Sequence, residues 1–309
     1  MTNNLISIPV APPNFKSGFV GIIGRPNVGK STLMNQLVGQ KIAITSPVAQ
    51  TTRNRLRGIL TTNAAQFIFI DTPGIHKPHH QLGKVIVKNA INAIRDVDIV
   101  LLLVDSSVPA GGGDRYIIDL LKTTKIPVVF GLNKTDLQTS NYQDLDKTYQ
   151  ELTQEYNWSL TKFSALNQSG LGELLNLLTN KLEPGPYYYP PDLVTDQPER
   201  FIMAELIREQ ILFLTRQEVP HSVAIAIEKV EEKPNITHVY GAINVERDSQ
   251  KSIIIGQKGS MIKKISTAAR QQIQKLISGK VYLELFVKVE PKWRQSRIRL
   301  AEFGYRVED

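Results

Sequence analysis

At 309 residues, 41% of them hydrophobic and 21% charged, the chain is long enough for two domains of ordinary size, and the absence of cysteine excludes disulfide frameworks and thiolate metal centres. The longest apolar run, Ile99–Val104, is too short to cross a bilayer, and MTNNLISIPVAPPNF lacks the basic and apolar regions of a secretion signal, so residues 1–14 are expected to be a flexible tail. The formal charge of +8 is unevenly placed: twelve Lys/Arg and only two acids, Glu284 and Glu290, lie between Lys251 and Leu300, an excess that points to nucleic acid or an anionic membrane surface.

From Phe19 to about Leu182, the short apolar runs FVGIIG, FIFID, IVLLLVD, VVFGLN and SLTKFSA alternate with polar or amphipathic stretches. Buried strands alternating with helices predict a mostly parallel sheet covered on both faces. RGILTT and AAQFIFID, joined at Asn63, read as a hairpin, which makes one edge strand antiparallel.

The first run ends in Gly24-Arg25-Pro26-Asn27-Val28-Gly29-Lys30-Ser31, followed by Thr32, which satisfies G-x-x-x-x-G-K-[ST] between a strand and a helix. Glycines let backbone N–H groups turn toward phosphates, Lys30 reaches their oxygens, and the Ser31 hydroxyl is placed to hold Mg²⁺. At the end of FIFID stands Asp71-Thr72-Pro73-Gly74, then Ile75. Asp71 can order Mg²⁺ through water, and the Gly74 amide can approach the third phosphate, so this segment would sense its presence. After VVFGL comes Asn133-Lys134-Thr135-Asp136. A carboxylate accepts the paired N–H donors of guanine, which adenine lacks, so Asp136 selects GTP over ATP. Ser164-Ala165-Leu166, after the next strand, can offer a backbone N–H to guanine O6. His76, His79 and His80 cluster beside Lys77, but with neither cysteine nor a nearby acid they are expected to form a solvated loop rather than a zinc site.

The stretch Glu183–Pro198 carries five prolines and is expected to be a linker, over about residues 183–200. Beyond it, Ile202, Leu206, Ile207, Ile211 and Leu214 have helical spacing, and SVAIAIEKV and THVYGAINVER read as strands. Then comes IIIGQKGSMIKKI, which superficially repeats the first glycine loop. Its two glycines are separated by two residues rather than four, no Gly-Lys-Ser follows, and no second D-x-x-G or N-K-x-D lies downstream. A helix from about Ser260 to Ile277 follows, and then the strand VYLELFVKV. Ile255, Gly256, Gln257, Lys258 and Gly259, with Lys263 and Lys264 on the next turn, combine close backbone approach, a helix N-terminus and positive charge, which suits a sugar-phosphate backbone. By propensity alone SIII is a strand.

On its four nucleotide elements the first domain resembles a translation-factor-class small GTPase of the P-loop superfamily. On IIIGQKG and the elements around it, the second resembles a type II KH domain, whose G-X-X-G loop clamps about four nucleotides; that likeness makes SIII a short helix ending at Gly256. Together, AQTTR, DTPG, NKTD, IIIGQKG and LELFVKV resemble the Era family of GTPases over nearly the whole chain. The resemblance implies an α/β P-loop GTPase domain over 15–182 and a smaller α+β type II KH domain over 201–309. It also implies a threonine completing the Mg²⁺ shell, Thr51 or Thr52 in AQTTRNR with Thr52 favoured, and K⁺ bound at Asn27 in place of an arginine finger. With Ile75 where many GTPases carry a water-orienting glutamine, intrinsic hydrolysis is expected to be slow. Expected catalytic residues are thus Lys30, Thr52, Gly74 and Asn27, with GTP/GDP, Mg²⁺ and K⁺ as ligands. The implied role is in small (30S) subunit assembly, binding the 3′ end of 16S rRNA, as a cytoplasmic monomer partly associated with the inner membrane. Competing readings are a GTP-regulated scaffold at a membrane surface and a GTPase coupled to tRNA modification; the latter needs a second catalytic constellation that the C-terminal half does not offer.

Overall fold

The structure, a computed structural model, describes residues 8–46, 56–75, 95–139, 142–216, 218–277 and 279–303. The chain divides into two compact units, the first running to Asp196 and the second from Gln197, which also takes in a short stretch beginning at Ile44. In that stretch the Thr45 N–H donates to Glu209 Oε1 at 2.8 Å.

Strands β1 (Lys16–Gly24), β2 (Leu56–Thr61), β3 (Ala65–Asp71), β4 (Ile99–Asp105), β5 (Val128–Asn133) and β6 (Ser159–Lys162) form one sheet in the order β2-β3-β1-β4-β5-β6. Only the β2–β3 pairing is antiparallel; the other pairings are parallel. The runs FIFI and IVLLLV are buried along their whole length, as a sheet covered on both faces requires. Each fully buried Val, Leu, Ile or Phe contributes about 1.5–3 kcal/mol. Helices α1 (Lys30–Val38), α2 (Gly112–Leu121) and α3 (Tyr142–Thr153) lie between strands, and α4 (Leu171–Lys181) follows the last of them. Because β1, β3, β4, β5 and β6 run the same way, their C-terminal ends share one edge, where the order switches sides at β1 and open α/β sheets bind ligands.

The proline-rich segment makes no helix, yet up to Asp196 it is fastened to the first unit. Gln66, fully buried on β3, accepts from the N–H groups of Tyr188 and Tyr189 and donates to the Tyr189 carbonyl and Thr61 Oγ1. Farther along, the Ile59 N–H of the edge strand β2 donates to the Val194 carbonyl at 2.8 Å, and Arg57 pairs with Asp196 at 2.8 Å. A buried glutamine with both its oxygen and nitrogen satisfied is costly to disturb, so this strap is held as firmly as the strand beneath it.

The second unit opens with α5 (Glu199–Leu214), which buries Ile202, Met203, Leu206, Ile207 and Ile211. Next come β7 (Ala224–Lys233), β8 (Ile236–Val245), α6 (Asp248–Ile255), α7 (Ser260–Leu276) and β9 (Lys280–Val289). β7 pairs antiparallel with β8, and β8 parallel with β9. SIII is helical despite its β-branched residues. Gln250 Oε1 accepts from the Glu246 and Arg247 N–H groups at the start of α6, Ile254 is fully buried, and Gly256 ends the helix with a positive φ of 70°. Packing and caps thus override local propensity here.

Candidate functional site

The phosphate-loop residues leave the end of β1 and enter α1 at Gly29, which has φ 100° and caps the helix. Lys30 is buried, its ammonium donating to the carbonyls of Gly24 (3.2 Å) and Arg25 (2.9 Å). Burial pushes this amine down to about 8, with Asp71 pulling the other way. Ser31 Oγ donates to Asp71 Oδ2 at 2.7 Å, so two of the three expected Mg²⁺ ligands already meet. Asn27 takes the left-handed conformation (φ 63°), exposed on the loop between Pro26 and the buried Val28, and Thr32 follows in the first turn of α1.

The D-x-x-G element runs directly beneath this loop. The Thr72 hydroxyl donates to the Ile22 carbonyl (2.8 Å), and the Ile75 N–H to the Gly24 carbonyl (3.1 Å). Pro73 leads into Gly74, where a Cβ would lie 2.6 Å from the Pro26 nitrogen; only glycine permits that approach. The Ile75 side chain turns inward. It is fully buried in the core with Ile23, Ile70, Val97 and Ile117, so this position contributes backbone alone. Thr51, Thr52, His76, Lys77, His79 and His80 lie outside the described residues. Among the described residues no group of three His, Asp or Glu could hold a metal.

The base-recognition elements are tied to the phosphate loop by a residue whose reach sequence reasoning missed. Asn133 Nδ2 donates to the Val28 carbonyl (2.8 Å), while its Oδ1 accepts from the Ala165 N–H (2.9 Å). One buried amide therefore joins three of the four motifs. Lys134 (φ 68°) reaches Asp105 Oδ2 at 2.6 Å. Burial would raise the Asp105 carboxyl, but Lys134 and Ser107 outweigh it and hold the carboxyl below its usual range. The Thr135 N–H meets the Phe163 carbonyl, Asp136 Oδ1 accepts from the Ser164 hydroxyl, and Leu166 is exposed beyond the turn. A second unforeseen contact is Arg25 Nε donating to Asp114 Oδ1 at 2.6 Å, with Asp114 buried on α2. Burial opposes the Arg25 charge, but Asp114 more than compensates and raises its pKa. Asp105 ends an apolar strand and was visible there as a polar terminus; nothing in the sequence paired Arg25 with Asp114.

In the second unit, Gly256 (φ 70°), Lys258 (φ 50°) and Gly259 (φ 76°) turn the chain sharply between α6 and α7. A Cβ on Gly256 would lie 2.7–2.8 Å from Met261, whereas one on Gly259 meets nothing within 4 Å. The loop is therefore braced on one side and open on the other. Ile255 is half-buried behind it, and Gln257, Lys258, Lys263 and Lys264 are exposed.

Comparisons with known proteins agree with this two-part layout. A family described as 50S ribosome-binding GTPase matches residues 19–134, and the KH domain family matches 218–294. The chain is 74% identical over 306 residues to the GTPase Era of Crocosphaera subtropica, covering 99% of this chain and 98% of that one. It is also similar to a solved structure of Era in complex with MgGDPNP and nucleotides 1506–1542 of 16S ribosomal RNA, at 37% identity and TM-score 0.88, covering 95% of this chain and all of that one. A single-residue variant of Aquifex aeolicus Era bound to GDP.AlF4⁻ is similar to the same extent, at 38% identity and TM-score 0.88, with the same coverage.

Proposed function

The chain belongs to the Era family of GTPases, and on that premise we propose that it couples GTP binding and hydrolysis to capture of the 3′ end of 16S rRNA during small-subunit assembly. The G-domain family description speaks of the 50S subunit, but that match ends at residue 134, before the RNA-binding unit begins. The small-subunit reading rests on relatives that span the whole chain and on the RNA held by one of them. The protein converts GTP to GDP and phosphate. The observation that carries the reading is the meeting of Lys30, Ser31, Asp71, Asn133 and Asp136 at one sheet edge, in a chain whose other unit presents an open G-X-X-G loop.

Mg²⁺, which the hydroxyl–carboxylate pair Ser31–Asp71 fits and Thr52 would complete, supplies positive charge against the phosphates. Lys30, held over the loop by two carbonyls, is placed to exchange them for phosphate oxygens. Gly74 packs against Pro26 of the loop, and its amide is the sensor of the third phosphate. Asp136 takes the guanine N–H donors, and the Ser164–Leu166 turn meets the opposite edge of the base. With the Ile75 side chain in the core, that position orients no water, and hydrolysis is slow without help. Asn27 on the exposed loop would hold a K⁺ ion, which would supply positive charge there; equal single-turnover rates in K⁺ and Na⁺ buffers would remove that role.

Gly256, Gln257, Lys258 and Gly259 clamp the RNA backbone, with Lys263 and Lys264 adding charge. GTP and RNA each favour the other's binding, by the same factor in both directions. The protein acts as a cytoplasmic monomer, as the family resemblance implies. Crosslinking in cells followed by sequencing tests the cargo, with enrichment of 16S 3′-end reads expected. Identical RNA affinities for the GDP- and GTP-analogue-loaded protein would refute the coupling.

A further inference from the structure

The phosphate loop is held at two points, and the two holds reach different halves of it. Asn133 fixes the second half: its Nδ2 donates to the Val28 carbonyl (2.8 Å), and a Cβ on Gly29 would strike the same amide. The first half is held from α2. Arg25 Nε donates to Asp114 Oδ1 at 2.6 Å, across 89 positions of sequence. An exposed ion pair contributes little, but the Asp114 side chain is only 1% exposed, so removing its partner leaves a buried charge uncompensated.

The acid is a fixed anchor. Asp114 Oδ2 accepts from the Gly111 N–H at 2.9 Å, which closes the first turn of α2. The approach to that turn is pinned from α3. The Ala110 N–H donates to Thr148 Oγ1 (3.1 Å), and the Tyr149 hydroxyl bridges the carbonyls of Asp105 (2.8 Å) and Val108 (3.1 Å). The Arg25 stem lies directly on the start of the helix, since a Cβ at Gly113 would stand 2.6 Å from Arg25 Cδ.

Arg25 in turn steadies the part of the loop that meets the D-x-x-G element. Gly74 packs on Pro26, next in the chain, and the Ile75 N–H donates to the Gly24 carbonyl (3.1 Å). D-x-x-G therefore rests on Gly24–Pro26, while Asn133 braces Val28 and Gly29. The Arg25 carbonyl also accepts from the Lys30 ammonium at 2.9 Å. That bond is lost when Lys30 turns to phosphate, and the tie to Asp114 then keeps Arg25 in place.

We propose that Asp114, acting through Arg25, is a positioning residue for GTP hydrolysis: it holds Gly24–Pro26 against Gly74, so that this half of the loop is set for the transition state at the third phosphate. It rests on the reading of Gly74 as sensor of that phosphate and adds what fixes the contact. The consequence is a division between the two holds. Asn133 governs affinity for guanine nucleotides in general, and Asp114 governs turnover.

Side-chain length separates the hydrogen bond from the charge. Glutamine carries Nε2 one bond beyond Cδ, as arginine carries Nε, so Arg25→Gln keeps a donor toward Asp114, whereas Arg25→Met keeps the length and loses the donor. In the full-length protein, Arg25→Met should slow single-turnover hydrolysis of saturating GTP at least about ten-fold, since small displacements at the reacting atoms suffice for losses of that size. Binding of GDP·AlF4⁻, a mimic of the transition state, should weaken by the same factor, while GDP affinity stays within about two-fold. Arg25→Gln should keep most of the rate. Adding Asp114→Asn to Arg25→Met should slow the reaction no further, as when one residue acts through the other, and it removes the buried charge that could unfold the single variant.

A rate for Arg25→Met within about two-fold of the parent would overturn the proposal. So would an equal fall in GDP affinity, which would make the pair a hold on the whole loop. Arg25→Gln as slow as Arg25→Met would assign the effect to the guanidinium charge, and a further loss in the double variant would give Asp114 a role apart from Arg25; either result overturns it. A Gly74→Ala control should lose affinity for a non-hydrolysable GTP analogue and keep that for GDP. If it loses neither, the sensor reading fails, whatever the Arg25 variants do.

Discussion

The two glycine loops, Gly24–Ser31 and Gly256–Ser260, use the same means to different ends. Each breaks an apolar run, each is followed by a helix, and each holds one non-glycine residue left-handed, Asn27 at φ 63° and Lys258 at φ 50°. The difference lies in what surrounds the glycines. In the first loop a Cβ at Gly24 would collide with the Leu103 carbonyl, one at Gly29 with Asn133 Nδ2, and one at Gly74, which packs on the loop, with the Pro26 backbone. In the second loop Gly256 is confined by Met261, but Gly259 faces open space. A loop enclosed by its own fold is set in advance for one compact ligand. A half-open loop admits a strand that enters and leaves.

The enclosed loop should therefore fail globally when altered. Gly29→Ala puts a side chain at φ 100°, which costs about 1–2 kcal/mol, and drives its Cβ into Asn133. Asn133 cannot simply swing aside, because its amide joins the Val28 carbonyl to the Ala165 N–H. Losing those buried bonds costs about 1–3 kcal/mol each. Taken together, GTP affinity should fall by more than about a hundred-fold, and because the Ala165 turn moves, preference for GTP over ATP should narrow as well. Competition binding with both nucleotides reads this directly. Affinity within about three-fold of the parent, with discrimination intact, would show that the brace is dispensable.

The half-open loop predicts a split between its two glycines. Gly256→Ala combines a backbone conformation reserved for glycine (φ 70°, ψ 172°) with a contact of 2.7–2.8 Å on Met261, so it should destabilise the second unit by about 2–4 kcal/mol. Gly259→Asp meets no obstacle and bears only left-handed strain of about 1 kcal/mol, which aspartate tolerates better than most residues. Yet its carboxylate faces the side where RNA phosphates would lie. RNA affinity should drop at least about ten-fold, for a charge placed against phosphate, while thermal unfolding changes little. If Gly259→Asp unfolds the unit as readily as Gly256→Ala, the openness at Gly259 has no functional meaning.

Much of this contrast was legible in the sequence, and what was not has identifiable causes. The parallel sheet could be read because strands buried on both faces must be continuously apolar, as IVLLLV is, and the hairpin because β2 and β3 are separated by only a short turn. The nucleotide motifs could be read because phosphate chemistry fixes both residue type and spacing. SIII could not be read from propensity, since Gln250 and the burial of Ile254 decide its conformation. That Ile75 gives hydrolysis no help could be read from its side chain, but its burial depends on core residues contributed by other elements. The bond from Asn133 to Val28 spans 105 positions and has no local signature. Glu183–Pro198 reads as a linker by composition, and only the buried Gln66 shows the segment to be fastened as a strap.

The smallest effect expected concerns the enclosed loop's charge rather than its shape. Burial holds the Lys30 amine at about 8, well below its ordinary value, so above that pH the free protein increasingly carries a neutral amine. Nucleotide phosphates favour the ammonium, so binding must take up a proton there, and affinity should fall by at most about ten-fold per pH unit as pH rises through about 8. The sign for stability is opposite. The folded pKa lies below the unfolded value of about 10.4, so the unfolded chain binds more protons between about 8 and 10.4, and this group makes folding more favourable as pH climbs through that window. Affinity and stability should therefore diverge, whereas ordinary alkaline unfolding would lower both. Titration calorimetry in two buffers of different ionisation enthalpy measures the proton uptake. A Lys30→Arg variant, which does not titrate there, should show none. An affinity that stays flat from about pH 7.5 to 9 would mean that the lysine is solvated when the loop is empty. The loop would then resemble its half-open counterpart more than its packing indicates.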